Sequence, residues 1–413
     1  MGTLISRNPA TGETIQELET TRPEDLPAIF ERARAAQVQW AALTPKKRAR
    51  YLFQLRETLL NQVDSISETI AEENGKPKFE AMANELLPSV DTLTFFAKRS
   101  PRILRDRHIQ LQLMRHRRSY LNYWPLGVVA VISPWNYPFL LPFADIIMAL
   151  VAGNAIVFKP SEVTPLSGLK IQELVDAAGF PPHLLQTVIG DGALGAALVK
   201  AKPAKVFFTG SVSTGKKIMA SAAENLTPVN LELGGKDPMI VLPDADLDFA
   251  TSAALWGGFS NSGQMCASVE RILVHEKSAE PFLKLLTEKL SKLRQGSSAE
   301  GSFDLGVTTF ERQKEVYDRH LKQAREKGAQ FVTGGEFTAD RKALRPTVVA
   351  GPGIEELDVY NEETFGPVVA VATYKSVAEA VQKANRNKYG LMASVITRDL
   401  RMGEEVARQL EVG

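Results

Sequence analysis

The chain has 413 residues, a formal net charge of +1 and one cysteine, Cys266. A single core rarely grows past about 250–300 residues, so two or more domains are expected. One cysteine excludes internal disulfides and thiolate-rich zinc or iron–sulfur centres, and the near-neutral charge gives no general affinity for nucleic acid or acidic membranes.

The N-terminus lacks the basic-then-apolar pattern of a secretory signal, which points to a cytoplasmic protein. The histidines are scattered and none falls in an HExxH arrangement, so no metal site is expected. Residues 24–100 read as helical, with Leu52, Leu55, Leu59 and Leu60 at three- and four-residue spacing. Asn74-Gly75-Lys76-Pro77 interrupts that run. Residues 101–118 gather Arg102, Arg105, Arg107, Arg115, Arg117 and Arg118, and Ile109 to Leu113 alternates apolar and polar residues as an extended hairpin would. No nucleic-acid motif accompanies these arginines, so the patch reads as a solvated or subunit-facing hairpin. Residues 119–144 carry no charge, but Pro125, Pro134, Pro138 and Pro142 break them. A buried strand, a loop and a buried helix fit better than a membrane span.

From residue 126 the pattern switches to strands alternating with helices. Gly127–Ile132, Ala155–Lys159, Leu185–Ile189 and Lys205–Thr209 are short, nearly continuous apolar runs, separated by helical segments such as Leu166–Ala178. That is the signature of a parallel sheet covered on both faces, in a doubly wound α/β domain of the kind that binds nucleotides. The theme repeats after residue 234, with strands at Arg271–His275 and Val368–Tyr374 and helices at Lys277–Arg294 and Val377–Asn387.

Four segments carry candidate chemistry. Gly210-Ser211-Val212-Ser213-Thr214-Gly215-Lys216-Lys217 follows a strand and opens a helix, where glycines admit a phosphate and the helix N-terminus stabilises its charge. Lys217 stands where an ATPase loop needs a magnesium-binding hydroxyl, and the spacing departs from the dinucleotide GxGxxG. The segment alone therefore says phosphate, or merely a turn. Lys159-Pro160-Ser161-Glu162 ends a strand, where open α/β sheets bind ligands. Lys159 and Glu162 could bond ribose hydroxyls, and Glu162 would repel a 2′-phosphate, which favours NAD over NADP. A plain surface loop is the alternative. Cys266 follows Ser260-Asn261-Ser262-Gly263-Gln264-Met265, a loop composition that suits a reactive thiol better than an inert core cysteine. Glu232 is flanked by Leu231 and Leu233 at the end of an apolar run. Burial there would raise its pKa towards the range useful for a general base.

Taken in order, these segments resemble the aldehyde dehydrogenase superfamily from about residue 5 to the end. The matching motifs are Ser133-Pro134-Trp135-Asn136-Tyr137-Pro138, Lys159-Pro160-Ser161-Glu162, Phe208-Thr209-Gly210-Ser211, Leu231-Glu232-Leu233-Gly234-Gly235-Lys236, Gly263-Gln264-Met265-Cys266 and Glu362-Glu363-Thr364-Phe365-Gly366-Pro367. The resemblance implies a Rossmann-type NAD-binding domain (1–106 and 126–233), a bridging or oligomerisation hairpin (107–125) and a second α/β catalytic domain (234–413). It implies Cys266 as nucleophile, the Asn136 amide and the Cys266 N–H as oxyanion donors, and Glu232 as the base that hydrolyses a thioester. For the cofactor it implies Lys159 and Glu162 at the adenosine ribose, Ser161 as a further binding residue, and Gly210 and Ser211 by the pyrophosphate with Gly215 further along the turn. Trp135 and Thr209 would line the nicotinamide side, Leu233 would also bind the cofactor, and Glu363 would bond the nicotinamide ribose with Phe365 nearby. NAD is the expected cofactor, with NADP open, and a homo-oligomer, dimer or tetramer, is expected.

Relative to the family pattern the chain stops early, so a C-terminally incomplete catalytic domain is expected, with a catalytically weak or structural member as the alternative. Relatives that resolve the thioester with CoA typically lack the base, so Glu232 favours hydrolysis. The expected substrate is a medium aliphatic or aromatic aldehyde, with succinate semialdehyde next.

Overall fold

The computed structural model describes residues 2–296 and 302–413. The chain forms two compact units. The first comprises Met1–Arg7, Thr14–Asn74 and Ala81–Glu232, and the second Asn8–Glu13, Gly75–Glu80 and Leu233–Gly413. The passage from one to the other falls between Glu232 and Leu233, one residue before the expected boundary, and two short early segments belong to the second unit.

In the first unit, β1 (Thr3–Arg7) and β2 (Thr14–Glu19) form an antiparallel pair, as do β3 (Arg107–Ile109) and β4 (Ser119–Leu121). The main sheet contains β5 (Val128–Ile132), β6 (Ala155–Lys159), β7 (Leu185–Thr187), β8 (Lys205–Thr209) and β9 (Val229–Glu232), all parallel, in the order β7-β6-β5-β8-β9. Every residue of β5 and β6 is buried. Such continuous burial suits a sheet with helices on both faces, and it explains why these strands read as unbroken apolar runs. The chain runs from β5 outward to β7 and then returns to the other side of β5. The order reverses there, so a crevice opens beyond the carboxyl ends of β5 and β8.

The hairpin differs from its expected form. Only Ile109 of the alternating stretch Ile109–Leu113 lies in a strand, and turns occupy most of the rest up to Ser119. Both strands are three residues long and pair only with each other, so side-chain alternation there is not backed by a ladder. The uncharged stretch 119–144 is divided among β4, β5 and the start of a helix at Leu140–Ala152. No helix among the described residues is long and apolar enough to cross a membrane.

The second unit is built on β10 (Asp237–Val241), β11 (Val269–His275), β12 (Gln330–Thr333), β13 (Thr347–Ala350), β14 (Val368–Tyr374) and β15 (Ser394–Ile396). Their order is β12-β13-β14-β11-β10-β15, parallel except for the β12–β13 pair. Successive residues enter opposite cores: Ile240, Leu273, Val349 and Ala370 pack on one face, and Met239, Ile272, Val348 and Val369 on the other. That is the period-two alternation of a strand with both faces covered.

Candidate active site

In the first unit the register brings three loops to the carboxyl ends of the strands. Ile132 pairs with Lys159 and with Phe208, and Thr209 pairs with Glu232. The residues that follow therefore emerge side by side. Trp135 and Asn136 leave β5, Lys159 to Glu162 leave β6, and Thr209 to Ser211 leave β8. The Asn74 amide donates to the Trp135 carbonyl at 2.7 Å, and the Glu85 carboxylate accepts from Phe139 N–H at 2.8 Å, so the loop is pinned on both sides of the buried Asn136.

The Gly210–Gly215 turn has the parts of a phosphate cradle. Gly210 N–H donates to the Glu232 carbonyl at 2.9 Å. A Cβ on Gly210 would come within 2.6 Å of the Phe208 ring, so any larger residue there would have to displace that buried side chain. Ser211 caps the helix Val212–Ala223, its hydroxyl accepting from Thr214 N–H at 3.3 Å. The first N–H groups of a helix have no intrahelical carbonyl to reach, and they point at whatever lies beyond the end. At the end of β6, Lys159 is buried with its ammonium donating to the Pro160 carbonyl at 3.0 Å. Burial pulls its pKa down, and Glu162, 3.5 Å away, acts in the opposite sense. Glu162 itself is exposed, whereas Ser161 is buried and accepts from Val163 N–H at 3.2 Å. These residues fit the adenosine and pyrophosphate portions of a dinucleotide.

Glu232 corrects the sequence reading. It is exposed, with a weak hydrogen bond from the Asn230 amide at 3.4 Å. β9 is the edge strand with β8 as its one neighbour, so the flanking leucines are only half-buried and do not desolvate the carboxylate. Burial falls instead on Asp145, a residue the sequence did not single out, in the helix Leu140–Ala152. Its carboxyl is pushed up to about 7 by burial and then by Glu232, with Lys205 opposing.

In the second unit two loops meet back to back. Asn261, Ser262 and Gly263 take left-handed backbone angles in succession, with φ of 52°, 55° and 70°. Non-glycine residues pay on the order of 1–3 kcal/mol each for such conformations, which persist only where the surroundings dictate them. Here they do. Glu80 accepts from Asn261 N–H at 2.7 Å, Ser262 donates to the Gly306 carbonyl at 2.9 Å, and the Gln264 amide accepts from Thr309 N–H at 2.8 Å and donates to the Asn261 carbonyl at 3.0 Å. Cys266 stands two residues further on, half-buried. Burial pushes its thiol pKa up, and the carboxylates of Glu363 and Asp237 act in the same direction.

The facing loop carries Glu363 to Gly366. A Cβ on Gly263 would overlap the Gly366 carbonyl, so the two backbones touch. Phe365 has φ of 55°, held by Tyr317 Oη donating to its carbonyl at 2.9 Å. Beneath lies a buried network that the sequence did not reveal. Glu270 accepts from Thr364 N–H and Phe365 N–H, both at 2.8 Å, and pairs with the fully buried Lys236 ammonium. His320 shares a 3.2 Å hydrogen bond with the Thr364 hydroxyl, and burial lowers its pKa to about 4. The available signal was Glu270-Arg271 inside an otherwise apolar strand. The Glu363 carboxylate accepts from Gly235 N–H at 3.0 Å and, chiefly through burial, is pushed up to about 7.

A parallel α/β sheet with a glycine-bearing turn at the carboxyl end of a strand suits a nucleotide-binding protein. Comparison with known proteins makes the class specific: the model of the aldehyde dehydrogenase family matches residues 2–413, and the chain belongs to that family. It is 40% identical over 415 aligned positions to a 4,4'-diapolycopene aldehyde oxidase of Methylomonas, covering 100% of this chain and 77% of the relative. It is 37% identical to a betaine aldehyde dehydrogenase of Cereibacter sphaeroides, covering 98% and 83% respectively. The NAD+ complex of an aldehyde dehydrogenase from Bacillus cereus superposes with a TM-score of 0.95 at 33% identity, over 100% of this chain and 84% of that one.

Proposed function

We propose that the chain oxidises an aldehyde to its carboxylic acid with NAD, using Cys266 as nucleophile and Glu232 as general base. The observation that carries this reading is Cys266 itself: the chain's single cysteine follows a loop whose left-handed backbone is fixed by buried hydrogen bonds. Strain of that kind collects where a side chain must be presented rather than merely packed.

In this reading the Cys266 sulfur bonds to the carbonyl carbon and the oxygen becomes an oxyanion, for which the Asn136 amide and the Cys266 N–H are the donors. One such donor is typically worth about 2.7–4 kcal/mol in the transition state. Bound NAD supplies the acceptor for the hydride that leaves the carbon, and a thioester on Cys266 remains. Water attacks that carbon, Glu232 takes its proton, the C–S bond breaks and the acid departs. Glu232 reaches solvent directly, which suits a base that must draw on water.

Lys159, Ser161 and Glu162 hold the adenosine ribose, and Gly210, Ser211 and Gly215 the pyrophosphate. Trp135, Thr209 and Leu233 line the nicotinamide side, with Glu363 and Phe365 at its ribose. The exposed Glu162 carboxylate favours NAD, because a 2′-phosphate there would meet a like charge. The substrate we assign is a medium aliphatic or aromatic aldehyde, with succinate semialdehyde next. A homo-oligomer is assigned through the hairpin and the strip after it, where Trp124 is 84% and Leu113 99% exposed. Large apolar residues so exposed mark contact surfaces.

The test is NADH formation by the purified chain on aliphatic, aromatic, betaine and succinate aldehydes, beside Cys266→Ala. Cysteine-dependent turnover with free acid as product is expected. Full activity in C266A, or an acyl-CoA product in place of the acid, would overturn the assignment.

A further inference from the structure

Gly235 is a junction in the second unit. Its N–H donates to Glu363 Oε1 at 3.0 Å. A Cβ there would overlap the carbonyl oxygen of Cys266 and come within 2.9 Å of Asp237 Oδ1. The backbone of the cysteine and two carboxyl groups therefore converge on one residue that must be glycine.

Asp237, the first residue of β10, is 3% exposed. Its Oδ1 accepts from Met392 N–H at 3.1 Å, while Oδ2 is buried with no hydrogen-bond partner among the described residues. An ionised carboxylate has about four acceptor sites to satisfy, and burying it with one donor favours the protonated form. The charged groups that bear on Asp237 are Glu270, which resists its ionisation, and Arg271, which helps it. Those bearing on Glu363 are Glu270, Lys236 and Asp237. Burial first, then these neighbours, brings both carboxyls to about 7. Cys266 is exposed to both of their charges.

We propose that Asp237 is a positioning residue that, together with Glu363, controls how much of Cys266 is thiolate. While the two carboxyls keep their protons the thiol ionises comparatively easily. As they lose them, their negative charge holds the proton on sulfur. Both carboxyls are ionised before the thiol is, so the thiol ionises higher than it would beside neutral groups. The functional consequence rests on Cys266 being the nucleophile, but the coupling does not.

The experiment is the rate of iodoacetamide alkylation against pH for the full chain without cofactor or aldehyde. The chain has one cysteine, so the modified mass reports Cys266 alone. Replacing Asp237 by asparagine removes a charge and keeps the shape. The Asp237→Asn midpoint should fall by about one pH unit, giving roughly tenfold faster alkylation at mildly alkaline pH. Asp237→Ser should move it the same way, and Glu363→Gln by a similar or smaller amount. A merely structural role would change melting temperature and leave the midpoint alone. Superimposable profiles for wild type and either folded Asp237 variant would overturn the proposal. If neither variant folds, Glu363→Gln decides: a lowered midpoint supports the coupling, and an unmoved one ends it. An inactive chain that still shows the shift would sink the dehydrogenase reading and leave the coupling standing.

Discussion

Replacing Glu270 by alanine should cost the second unit much of its stability. Glu270 accepts from Thr364 N–H and Phe365 N–H, and it neutralises a Lys236 side chain with no exposure to solvent. Removing one partner of a buried ion pair costs about 3–5 kcal/mol, because the other charge stays buried and unpaired. Each orphaned backbone N–H adds about 1–3 kcal/mol. The two overlap, since the loop can relax, so a loss of at least about 4 kcal/mol is expected. That is a large share of a typical total of about 5–15 kcal/mol. Urea unfolding should be followed by alkylation of Cys266, which reads the second unit in particular and avoids treating both units as one transition. The double change Glu270→Ala with Lys236→Met should recover about half the loss, because no charge then remains buried. A loss under about 1 kcal/mol in E270A, or a double variant as unstable as the two single changes summed, would refute the reasoning.

Stability should also depend on pH in an uncommon direction. Asp145, Asp237 and Glu363 all ionise near 7 in the folded chain, above the ordinary carboxyl range. Between that range and about 7 the folded state binds more protons than the unfolded one, so stability falls as pH rises. His320, lowered to about 4, works the other way between there and its ordinary value. The melting temperature without cofactor should therefore drop by several degrees from about pH 5 to pH 8. Asp145→Asn should flatten the drop, and a melting temperature that rises throughout this window would contradict it. At the nucleotide end, Glu162→Gln should raise kcat/KM for NADP relative to NAD by about tenfold, the scale of one like-charge contact near the surface. An unchanged ratio would remove Glu162 from cofactor choice.

How far these features could be read from sequence depended on what each pattern measures. β6 and most of β14 coincide with nearly continuous apolar runs, because burial on both faces leaves little other pattern, and β8 matches its run although its residues alternate between buried and half-buried. The N-terminal pair β1–β2 escaped notice, because its mostly exposed strands carry polar residues. Apolar neighbours misled at Glu232, since flanking leucines imply burial only where a sheet continues on both sides. Asn261 carries a mild preference for a left-handed backbone that its neighbours did not reinforce, and Ser262 carries none. Glu270 and Asp237 acquire their roles only through partners 94 and 155 positions away in the chain.

The contact between Gly263 and Gly366 bears on how this protein can change over generations. The two glycines look equivalent but have different escape routes. A methyl group on Gly366 would meet the ring of Tyr317, a side chain that can be replaced by a smaller one at the cost of the hydroxyl that holds the Phe365 carbonyl. A methyl group on Gly263 would meet the main chain of the opposite loop, which no substitution can trim. Position 366 can therefore drift if position 317 drifts with it, whereas position 263 has no compensating partner and is closed to mutation for as long as the fold persists.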